Sequence, residues 1–170
     1  MSIPEVWLRG ALPDIPLLLQ PVAHSLLQSH QEIVRYLPGL NPAQIAARPG
    51  GAASVGYHAR HAAGSIDRLF TYARGEALSP EQLAWLRDES IEDESPEVGT
   101  HLVSQFGVTI ERALVQLKGT KEATLLDARA VGRGRLPSTV LGLLFHAAEH
   151  TQRHLGQLVT TARIVSNPST

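Results

Sequence analysis

Apolar residues recur at helical spacing through four long segments of this chain, and Gly and Pro cut it between them. The first segment runs from about Ile15 to Tyr36, with Leu18, Leu19, Val22, Leu26, Leu27, Ile33 and Leu37 on one face. Pro21 lies inside it and either kinks the helix or marks its true start, because a proline ring clashes with the preceding turn. The second runs from about Ala53 to Arg74, with Gly75 as its stop. Gly56 and Gly64 each cost about 1 kcal/mol against Ala inside a helix, so they point to close approach by a neighbouring helix. The third spans about Glu97 to Lys118, with Leu102, Phe106, Ile110, Leu114 and Leu117 at helical spacing, and the fourth runs from Pro137-Ser138 to about Ile164. Between them, Asn41-Pro42-Ala43-Gln44 and Ser79-Pro80-Glu81-Gln82 each set a capping residue before a proline, with Gln at the third helical position. That order opens a short helix. The acidic run 88–97 reads as a solvated loop, and the basic, Gly-rich stretch 120–136, with Arg133 and Arg135, as a flexible one. No stretch shows strand alternation. The expectation is an all-α four-helix bundle with short helices in its connecting loops, one domain over residues 1–165 and a flexible tail over 166–170.

Composition removes several classes of function. The chain has 170 residues, enough for a core without staples, and no Cys, so disulfides, thiolate ligands and a cysteine nucleophile are excluded. A net charge of −1 gives no general attraction to nucleic acid or anionic lipid, and basic stacking motifs are absent. Residues 1–10 include Glu5, Trp7 and Arg9 with no apolar core, so no signal peptide is expected. No apolar run approaches the roughly 18–20 residues of a spanning helix. A cytoplasmic protein without membrane or nucleic-acid partners follows.

Chemistry concentrates in the histidines. His146, His150 and His154 follow one another at four-residue spacing, which places them in one stripe on the fourth helix. His58 and His61 form an i, i+3 pair on the second. Five of eight histidines thus occupy two short windows. Neighbours in the stripe are about 6 Å apart along the axis, whereas His146 and His154 are about 12 Å apart, too far to share one ion easily. Either 146/150 or 150/154 can chelate, with a third imidazole from His58 or His61. Parallel, level helices would favour 146/150. Crowding unpaired imidazoles costs solvation and, below about pH 6.5, charge repulsion, and a metal removes both. Glu149 precedes His150, so residues 146–150 read His-Ala-Ala-Glu-His and lack the order of a zincin motif. Glu149 reads as a surface or supporting group.

A histidine in the second helix, here His61 within Tyr57–Leu69, followed by His150, His154 and then Gly156-Gln157, resembles the DinB/YfiT-like superfamily of four-helix-bundle metalloproteins. The likeness runs from the first helix to the last. It implies a divalent ion, zinc or nickel, held by His61, His150 and His154 and completed by water, and it implies a homodimer. His58 and His146 then flank the ion as supporting, substrate-facing or proton-relaying groups. Members include transferases and isomerases that use low-molecular-weight thiols such as bacillithiol and mycothiol. The resemblance therefore implies a metal-dependent small-molecule enzyme activating a thiol (a transferase) or water (a hydrolase). The alternative is a non-catalytic, stress-related metal- or ligand-binding dimer, which a fourth histidine ligand would favour.

Overall fold

The computed structural model describes residues 4–167. The expected bundle forms, and its helix ends follow the capping chemistry. A short 3-10 turn at Leu17–Leu19 leads into α1 (Gln20–Tyr36), with Pro21 in the first turn. Pro21 therefore marks the start of the helix and does not kink it. Asn41 opens α2 (Pro42–Ala46) and Ser79 opens α4 (Pro80–Asp88), each through a reciprocal capping box with Gln44 or Gln82. Between them lies α3 (Val55–Ala73), and Gly75 beyond it takes a φ of 82°, the left-handed stop that suits glycine. The remaining long helices are α5 (Val98–Gly119) and α6 (Val140–Ser166).

The stretch 120–136 departs from the expected loop. Residues Ala128–Val131 (β1) and Leu136–Thr139 (β2) pair antiparallel, Val131 opposite Leu136 and Ala128 opposite Thr139. Neither strand alternates buried and exposed residues, so its pattern carried no period-two signal. The pairing rests on the backbone and a four-residue turn with positive φ at Gly132 and Arg135. Arg129 Nε ties the hairpin to the end of α3 by donating to the Ala73 carbonyl at 2.8 Å. Because β2 claims Leu136–Thr139, α6 starts at Val140, after the expected Pro137-Ser138. At the other end Ser166 is the last residue of α6, and residues 168–170 of the expected tail lie outside the described residues.

Each long helix packs on two others: α3 on α6 and α5, α1 on α6 and α5. The four stand in a square, with α3 diagonal to α1. The core runs along its axis through Leu26 and Ile33 of α1, Ile66 and Phe70 of α3, Phe106 and Ile110 of α5, and Leu144, Leu155 and Leu158 of α6. Phe106 is fully buried, with His30 stacked over its ring. Phe106→Ala should cost about 3–5 kcal/mol. Urea denaturation would show this as a lower midpoint with an unchanged slope.

Candidate metal centre

The direction of α6 against α3 decides which histidines meet. Ser54 caps α3, its Oγ accepting from the Tyr57 amide, and Thr139 caps α6 through the Gly142 amide. Earlier residues of α3 then face later residues of α6. His58 Nδ1 lies 3.0 Å from His154 Nδ1, and His61 Nε2 lies 2.9 Å from His150 Nε2. The helices are antiparallel, so the parallel, level arrangement that would favour 146/150 does not occur. The rings of His61, His150 and His154 stand 4.4 to 5.1 Å apart, centroid to centroid. One donor nitrogen from each comes within 4.8 Å of the other two, and the trio could hold a metal ion.

The other histidines take different positions. His58 is 5% exposed and its Nδ1 faces His154. His146 sits one turn away, its ring 5.3 Å from that of His150 and its Nδ1 3.1 Å from Glu149 Oε2. Half of its side chain (49%) meets solvent. Glu149 is a surface group that also pairs with Arg153 at 2.6 Å, while Arg153 Nη2 reaches His150 Nδ1 at 3.2 Å. His24 contacts the Gly10 carbonyl and His30 packs on Phe106, both away from the cluster.

Two glutamates of the acidic run are not the solvated loop residues expected. Glu89 is buried, with Oε1 2.6 Å from His61 Nδ1 and Oε2 3.3 Å from Arg68 Nη2. Glu92 accepts from Ser54 Oγ at 2.6 Å, Arg60 at 2.8 Å and Arg48 at 3.3 Å. Composition could not separate them from Asp88, Asp93 or Glu94, which have the same charge in the same run. Only the two unpaired arginines on the buried side of the second helix, Arg60 and Arg68, hinted that acids had to come from elsewhere.

Burial is the first cause of the electrostatics here. It pushes His150 down to about 4 and His154 down to about 3, with electrostatic interaction with His61 as the next cause in both. His58 is lowered by burial and then by His61. Burial would raise the Glu89 carboxyl, but its hydrogen bond to His61 and the charges of His61 and Arg68 outweigh that and hold it below the usual range. At neutral pH His150 and His154 therefore offer neutral imidazole lone pairs, the form a metal takes.

The fold and cluster define a helical bundle whose central seam carries a three-histidine group compatible with metal binding. The chain belongs to the DinB superfamily, whose sequence pattern matches residues 25–158. A conserved protein from Enterococcus faecalis, known from its crystal structure, has the same fold. It superposes with a TM-score of 0.69 at 21% identity, over 88% of this chain and 97% of that one. No curated protein matches.

The lowered histidines make the metal-free protein acid-sensitive. Unfolded, His150 and His154 take up protons near 6.5, whereas folded they wait until about 4 and about 3. Between those values the unfolded chain binds more protons, so stability falls as pH falls. Thermal melts in chelator should show a falling midpoint from about pH 7 to about pH 4.5, and His154→Leu should flatten that slope.

Proposed function

We propose that this chain is a divalent-metal-dependent enzyme of small molecules, working in the cytoplasm as a homodimer. His61, His150 and His154 would hold the ion, zinc or nickel. The observation that carries this reading is the donor set: three imidazoles that each offer a nitrogen within 4.8 Å of the others, two of them, His150 and His154, kept neutral by burial. When bound, a +2 ion on three neutral ligands supplies Lewis acidity that favours the anion of a coordinated thiol or water. The preferred reaction is attack of a low-molecular-weight thiol on an electrophile, and hydrolysis by water is second.

The surrounding residues divide the remaining work. His58, buried and 3.0 Å from His154 Nδ1, orients that ring from behind. His146 stands at the solvent edge beside His150, with Glu149 at 3.1 Å to steady its charge, and suits the transfer of a proton between site and bulk water. Tyr57 stacks on His61 with centroids 5.4 Å apart and walls one side. No helix among the described residues is long and apolar enough to cross a membrane. Exposed Trp7, Leu17, Leu18 and Phe145 offer apolar surface for a dimer.

One contact favours a second reading, a non-catalytic metal-binding dimer. His58 is close enough to His154 to be drawn in as a fourth ligand, and structural zinc sites are closed whereas catalytic ones keep a position open. Elemental analysis of untagged protein decides first: wild type should carry near one equivalent of metal and His150→Ala should lose it. X-ray absorption then counts the imidazoles. Three, with turnover in a panel of thiol and hydrolysable substrates, supports the enzyme. Four, without turnover, supports the alternative. A metal-free wild type after dialysis against zinc and nickel overturns both.

A further inference from the structure

An imidazole binds metal through a nitrogen that carries no proton, so a ligand histidine must hold its proton on the other ring nitrogen. Free imidazole does not choose strongly; a fixed acceptor on one side does. His61 is the one member of the trio with such an acceptor, since its Nδ1 lies 2.6 Å from Glu89 Oε1. An ionised carboxylate only accepts, so the hydrogen in that contact sits on His61 Nδ1. The Nε2 lone pair is then left facing His150.

Glu89 is itself held from three sides. Arg68 Nη2 donates to its Oε2 at 3.3 Å, and Arg60 Nε donates to its backbone carbonyl at 2.9 Å. The third hold is the His61 contact. Arg68 is 8% exposed, and its Nη1 has no hydrogen-bond partner among the described residues. A buried cation with an unmatched N–H is a poor device for stability. Its seat depends on a glycine: a Cβ added at Gly64 would lie 2.7 Å from Arg68 Nη1 and 3.2 Å from Trp85 Nε1. The glycine that weakens α3 makes room for the guanidinium beneath Glu89.

We propose that Glu89, braced by Arg68 over Gly64, is a positioning residue that fixes the tautomer of His61, with its proton on Nδ1 and its Nε2 lone pair turned into the histidine cluster. The purpose assigned to this relay rests on the metal-binding reading, but the relay itself does not. Neither residue touches the reacting atoms. Outer partners of this kind typically change metal affinity about 10–100-fold when removed.

The test has a metal-free arm and a metal arm, each on the full chain. Long-range ¹H–¹⁵N NMR of the metal-free protein assigns the tautomer of each histidine. Wild type should show His61 protonated on Nδ1 alone, and Glu89→Ala should move that proton wholly or partly to Nε2. Glu89→Gln guards against a folding failure of the alanine variant and should give a mixed tautomer. Glu92→Gln changes a neighbouring half-buried glutamate that has no hydrogen bond to a histidine, and should leave His61 unchanged. In the metal arm, competition against a chelator with cobalt(II) should show an affinity loss of about 10–100-fold for Glu89→Gln, with an altered visible spectrum, and none for Glu92→Gln. His61 protonated on Nε2 in wild type, or a tautomer indifferent to Glu89, overturns the proposal. Measurable but equal cobalt affinity in wild type and Glu89→Gln overturns the purpose assigned to the relay. Wild type that binds no cobalt while the tautomer still follows Glu89 overturns the metal reading and leaves the relay standing.

Discussion

Imidazoles crowded into a helix seam lose water and repel one another once charged, so each nitrogen needs a lone-pair or proton partner. The antiparallel docking of α3 on α6 meets that demand. It brings His58 to His154 and His61 to His150. The apolar core on the axis of the bundle holds the two helices together, and Ala59, Ala62 and Ala63 of α3 are buried in it. Histidine positions and the lowered proton affinities of His150 and His154 depend on this one helix pair.

Much of the fold was readable because it is written in local rules. Helical spacing located α1, α3, α5 and α6, and the Asn41 and Ser79 capping boxes located the two short helices. The hairpin was not readable, since strands of four residues on the surface leave no alternation and their order comes from backbone pairing alone. The histidine stripe was visible for the same reason as the helices: its spacing is a property of one element. The choice between His146 and His154 was not, because it depends on the relative direction and offset of two helices. The likeness to the DinB superfamily pointed to His61, His150 and His154, and the cluster that forms consists of those three.

Glu89 and Glu92 show the limit of reading charge from composition. Both belong to a run of acids, and both turn inward onto arginines of α3, Glu89 onto the buried Arg68 and Glu92 onto the half-buried Arg60. Together they fasten the segment between α4 and α5 to the start of α3, one at its cap residue Ser54 and one at His61. A stretch that looks like a solvated connection thus belongs to the walls of the site.

The cluster joins residues 89 positions apart in sequence, His61 on α3 and His150 on the last long helix. No single helix supplies all three of its members. Before α6 docks, an ion can meet only a pair of neighbouring histidines on one helix, a weak and unselective grip. An ion held by all three would therefore be captured only after the bundle is complete, once the long-range contacts have formed. A chain that has not folded correctly could not hold an ion in this way, and metal content would then report on whether each molecule has reached its native arrangement.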